Sequence, residues 1–181
     1  MVALVFPALP TVTLPVTGRN ERFPVRRIFC VGRNYADHAR EMGSDDKEPP
    51  FFFTKPADAV VESGSRVPYP TATANLHHEG ELVIAIGKAG AMVPESDASA
   101  LIWGHAAGND LTRRDLQAEA KANRRPWDMA KGFDKSAVVG AIRPGHLPDA
   151  TLRCSVNGAQ RQEARLSQMI WTPAAIISAL S

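Results

Sequence analysis

Apolar residues along this chain gather in short runs and alternations at strand spacing more often than in helical stripes. "VRRIFCVG" predicts a strand ending at Gly32, and "FFFTKPADAVV" a strand broken at Lys55-Pro56, which puts the lysine near an edge or cleft. "NLHHEGELVIAIGK" predicts a further strand over residues 75–88. A run through Gly104 and Gly108 to Asn109-Asp110 continues the extended pattern, and "RRPWDMAKGFDKSAVVGAI" reads as a loop entering another strand. Asn157-Gly158 between two extended runs predicts a hairpin.

Helical spacing is confined to a few places. "NYADHAREMG" has Asn34 as cap and Gly43 after its last turn, and residues 96–102 form a short helix. Thr112 with Asp115 resembles a capping box for a helix over residues 113–123. "TPAAIISALS" starts with Thr172 as cap and Pro173 at the first position, and stops without a C-cap. The polar, proline-ended "SDDKEPP" is a candidate mobile loop. The fold class expected is therefore α+β and strand-rich.

Composition narrows the function classes. With 181 residues, 44% hydrophobic and 22% charged, the chain has enough apolar surface for one core. A formal net charge of +2, with basic doublets scattered between acidic and apolar sequence, argues against nucleic acid as the main partner. The best apolar run, "MIWTPAAIISAL", is too short and too interrupted to span a bilayer, so no membrane partner is expected. The N-terminus lacks a basic leader, leaving the cytoplasm as the default location. Cys30 and Cys154 have no metal or redox spacing and read as buried thiols.

The chemistry centres on carboxylates. Glu79 and Glu81, two apart on a strand, leave the same face, and Asp110 follows two glycines where extended chain gives way to a helix. Three carboxylates make a hard oxygen site suited to Mg²⁺ or Mn²⁺. His77 and His78 do not turn this toward zinc, since adjacent strand residues point to opposite faces. His38 and Glu41, at i and i+3, have the spacing of a base with its orienting carboxylate. Spacing alone equally describes a solvated strand face, a helix N-terminal acid and a surface pair, and by itself makes Lys55 and Lys131 solvated lysines.

Six segments in register resolve this. "FCVGRNYADHAREMG", "FFFTKPADAVV", "LHHEGELVIAIGK", "GNDLTRRDLQ", "RPWDMAKGFDKSA" and "VNGAQRQ" resemble, in order and spacing, the fumarylacetoacetate hydrolase family. Their wording is most similar to bacterial members that hydrolyse fumarylpyruvate in gentisate breakdown. The resemblance implies a mixed β-sandwich roll, usually a homodimer, with residues 1–25 as an N-terminal strand and loop segment and 26–181 as the catalytic domain. It implies Glu79, Glu81 and Asp110 as ligands of Mg²⁺ or Mn²⁺, and His38 with Glu41 as the water-activating pair on a lid helix. Lys131 is implied as the lysine meeting developing negative charge, and Arg33, Arg114 and Gln117 as polar groups around the substrate, with Lys55 in support.

The implied activity is cleavage of a carbon–carbon bond in a 2,4-dioxo acid, fumarylpyruvate giving fumarate and pyruvate. Hydrolysis of a simple acylpyruvate or decarboxylation of oxaloacetate would use the same enolate, and a non-catalytic oxoacid-binding protein or inactive fragment is the third reading. Gly80 stands where relatives commonly carry a larger residue. The family pattern also continues past residue 181, so the catalytic domain is expected to be truncated at its C-terminus.

Overall fold

The computed structural model describes residues 3–35 and 48–181. His38, Glu41 and most of "SDDKEPP" lie outside the described residues. β1 (Thr13–Pro15) and β2 (Arg22–Pro24) form a hairpin, and β3 (Ile28–Gly32) pairs antiparallel with β4 (Phe51–Lys55). Pro56 ends β4, as expected for a residue without an amide donor, and one 3₁₀ turn leads into β5 (Val60–Glu62). β6 (Leu76–His77) and β7 (Gly80–Ile86) carry the sequence around the two glutamates.

The expected helix at residues 96–102 is a single turn, α1 (Glu95–Ala98), continued by a 3₁₀ turn. The long strand β8 (Ile102–Asp110) follows, then β9 (Thr112–Arg113), α2 (Arg114–Ala122) and the one-turn α3 (Asp128–Lys131) inside the segment expected as loop. β10 (Ala137–Val139) and β11 (Arg143–Pro144) complete the main sheet. β12 (Thr151–Val156) and β13 (Ala159–Arg165) form the expected hairpin, with Asn157 and Gly158 at φ 51° and 80°, the left-handed geometry of a type I′ turn. In α4 (Pro173–Leu180) the Thr172 hydroxyl accepts the Ala175 amide at 3.1 Å, as its cap position predicts.

β8 organises the main sheet. β7 lies antiparallel along one side of it, β10 and β11 successively along the other, and β10 pairs in parallel with β5. One sheet face carries Val83, Ala85, Ala106 and Val139, which pack with Leu14, Ile142 and Trp103 as the core. Ile142 is 1% exposed, a burial worth about 1.5–3 kcal/mol. The strand-rich α+β expectation holds. No helix among the described residues is long and apolar enough to cross a membrane.

Candidate active site

The carboxylates occupy the polar end of the core-bearing sheet face. In the β7–β8 register Glu81 lies opposite Gly108, and the Asp110 amide donates to the Glu79 carbonyl at 2.8 Å. Residues opposite one another in an antiparallel pair share a face, so Glu79, Glu81 and Asp110 leave the sheet on one side, continuing the rows of Val83 and Ala106. Gly108 leaves the space opposite Glu81 without a side chain.

Two buried lysines answer them. Lys131, at the end of α3, is 2% exposed; its Nζ donates to Glu79 Oε2 at 2.6 Å, Asp110 Oδ2 at 2.8 Å and Thr112 Oγ1 at 2.6 Å. Lys55, also 2% exposed, lies 2.8 Å from Asp110 Oδ1 and donates to the carbonyls of Leu111 and Lys131. Judged singly both lysines read as solvated. The fold overturns that, because each ammonium finds acceptors enough to replace its water. Burial still pushes Lys55 below its ordinary range, with Asp110 opposing.

Of the other expected groups, Arg114 and Gln117 join the cluster through Glu79, and Arg33 lies against Phe51. Arg114 donates through Nη2 to Glu79, through Nη1 to Gln117, and through Nε to His77 Nδ1 at 3.3 Å. Arg33 has a left-handed backbone, φ 59°; its guanidinium lies 5.4 Å from the Phe51 ring centroid, and its Nε is buried without a partner among the described residues. Phe51, Phe53 and Lys55 alternate onto one face of β4, where both rings meet Trp127 and Phe53 lies 4.9 Å from Lys131 Nζ.

Electrostatics sort the three acids. Burial alone would raise Glu79, but Lys131 and Arg114 hold its carboxyl below the usual range. Glu81 goes the other way: burial, reinforced by the Glu79 and Asp110 charges, pushes it up to about 8. A carboxylate placed among carboxylates and short of positive charge fits a hard cation. Among the described residues, no three ligand-type side chains already close on one point, since Lys131 Nζ stands between Glu79 and Asp110. The fit is one of donor chemistry, shared face and charge.

Several neighbours escaped sequence reasoning. Thr112, fully buried, is two residues beyond Asp110, a spacing that could have flagged it. Its hydroxyl accepts from Lys131 and donates to the Asp110 carbonyl at 3.1 Å, so it caps no helix. Asp115 is likewise drawn away, accepting the Thr73 hydroxyl and the Ala74 amide. Tyr35 places a buried hydroxyl near enough to Glu81 for that carboxylate, after burial, to raise its pKa. The Cys30 thiol lies close to the cluster and is pushed up to about 12 by burial and then by Asp110.

The chain as a whole is similar to known proteins. The family described as fumarylacetoacetate (FAA) hydrolase, C-terminal, matches residues 27–181. The crystal structure of fumarylpyruvate hydrolase from Pseudomonas aeruginosa in complex with Mn²⁺ and pyruvate is 47% identical, with 99% of this chain and 81% of that one covered at a TM-score of 0.94. A fumarylpyruvate hydrolase of Ralstonia is 43% identical over 74% of this chain and 71% of its own. The mitochondrial oxaloacetate tautomerase FAHD1 of Mus musculus is also 43% identical, over 86% of this chain and 72% of its own.

Proposed function

The chain belongs to the fumarylacetoacetate hydrolase family, and on that premise we propose that it is a metal-dependent hydrolase of 2,4-dioxo acids, cleaving fumarylpyruvate to fumarate and pyruvate. The observation that carries this reading is the burial of Glu79, Glu81 and Asp110 on one sheet face against Lys55 and Lys131. Glu79, Glu81 and Asp110 would hold Mg²⁺ or Mn²⁺, which when bound supplies a template and Lewis acid for the 2-oxo acid end of the substrate.

His38, its imidazole oriented by Glu41, takes a proton from water, and the water oxygen attacks the distal carbonyl carbon. The bond from that carbon to the methylene breaks. Its electron pair passes to the pyruvate half as an enolate, which takes up a proton at carbon, while the acyl half leaves as fumarate. Lys131 and Lys55 are fixed positive charges beside the developing anion, and preorganised charges in a water-poor site are worth several kcal/mol. Arg33, Arg114 and Gln117 orient the substrate's polar groups. Three carboxylates balance Lys55, Lys131 and Arg114, so a dication brings the cluster to +2, the complement of a carboxylate and an enolate.

The relation to the oxaloacetate tautomerase favours a second reading in which an enolate of the same kind forms from oxaloacetate, by tautomerisation as that relative's name says or by decarboxylation, with hydrolysis of simple acylpyruvates as its neighbour. The deciding experiment follows the ultraviolet absorbance of fumarylpyruvate, acetylpyruvate and oxaloacetate with Mg²⁺ or Mn²⁺, then with a chelator. Chelator-sensitive loss of fumarylpyruvate well ahead of the other two is expected. Preference for oxaloacetate moves the assignment to the second reading, and turnover that survives chelation removes the metal from both.

A further inference from the structure

The segment "VNGAQRQ" has so far been only a hairpin, yet its last residue reaches the carboxylate strand. Among the described residues β7 pairs only with β8, so its other edge must find acceptors elsewhere. At the start of the strand two successive amides are held by side chains: Glu79 N–H donates to Asn109 Oδ1 of β8 at 3.0 Å, and Gly80 N–H to Gln162 Oε1 of the hairpin at 2.7 Å. Gly80 lies between Glu79 and Glu81, so the tilt of its peptide sets the directions of both Cα–Cβ bonds.

Two features bring Gln162 there. The β12–β13 ladder pairs Cys154 with Gln162 but Ser155 with Gln160, leaving Arg161 without an opposite residue. Such a bulge re-aims the side chains beyond it, and here it turns Gln162 to the same face as Cys154, against β7. Gly80 supplies the room. A Cβ on it would stand 3.1 Å from Cys154 Cβ and 3.3 Å from Gln162 Oε1, closer than the hairpin tolerates without shifting. The absent side chain at Gly80 leaves the hairpin room to lie against the strand.

We infer that Gln162 is a positioning residue, whose carboxamide oxygen fixes the Glu79-Gly80-Glu81 backbone and through it the aim of both carboxylates. The inference rests on the reading that these glutamates bind a cation together. The Gly80 amide can only donate, so the Gln162 oxygen must face it. Gln162→Glu keeps an acceptor at that position; Gln162→Met keeps the bulk and loses it.

The test is Mn²⁺ titration of the metal-free chain followed by electron paramagnetic resonance, with Gly80 amide exchange by NMR as a readout independent of metal. Expected is an affinity loss of about 10-fold in Q162M, within the usual range for groups that hold metal ligands in place. Q162E should stay within about threefold of the parent, and Gly80 exchange should accelerate in Q162M alone. Unchanged Mn²⁺ affinity in Q162M beside a tightly binding parent overturns the inference alone. Equal loss in Q162M and Q162E overturns it too, since an acceptor kept at that position then makes no difference. A parent that binds no Mn²⁺ overturns the ligand reading itself, and the inference falls with it.

Discussion

The ammonium of Lys131 meets Glu79, Asp110 and Thr112 with almost no contact with water, so its loss leaves two carboxylates facing each other in the core. Lys131→Met is expected to destabilise the metal-free fold by about 3–5 kcal/mol, the cost of breaking a buried ion pair on one side, read from urea unfolding. A change under 1 kcal/mol would mean that water replaces the lysine. This residue also marks what the sequence could tell. The shared face of Glu79 and Glu81 was legible from strand periodicity, while the reading of both with Asp110 as metal ligands was carried by the resemblance. The burial of the lysines was not legible, because it depends on acceptors supplied by distant segments: Lys55 is held by carbonyls 56 and 76 positions away.

At the scale of elements, local chemistry was decisive wherever no distant partner competed. Asn157-Gly158 made its turn and Thr172 its cap, each through groups within a few residues. Thr172→Ala should therefore cost about 0.5–2 kcal/mol, with Thr172→Ser recovering most of it, measured by thermal unfolding. The Thr112/Asp115 signal failed for the converse reason. Lys131 claims the threonine hydroxyl, and the chain at Thr73-Ala74 claims the aspartate. The helix begins anyway at Arg114, on the strength of its packing. α3 was missed because a single turn leaves no period to read, although it delivers Lys131.

Across the whole molecule the unequal acids make stability depend on pH. Glu81 titrates at about 8 in the fold against an ordinary 4.5, so the folded chain keeps a proton that the unfolded chain releases. That contribution is fully present below 4.5 and is lost as pH rises to about 8. Glu79, held low, works in the opposite sense, and its stabilisation disappears only as pH falls through its depressed range. The metal-free chain should thus lose stability steadily from pH 5 to about 8, by calorimetry at several pH values, and Glu81→Gln should flatten the slope. Saturating Mn²⁺ should flatten it as well, with about one proton released per ion bound near neutrality. A slope unaltered by E81Q would place the responsible group elsewhere. The reach of Lys55 also bears on how the chain folds. Its charge is satisfied only after β4, the end of β8 and α3 have met, so a collapsed chain missing any of the three carries an uncompensated buried ammonium. Partly assembled forms are penalised by the same lysine that serves the finished site, and this part of the molecule should form and dissolve in one cooperative step.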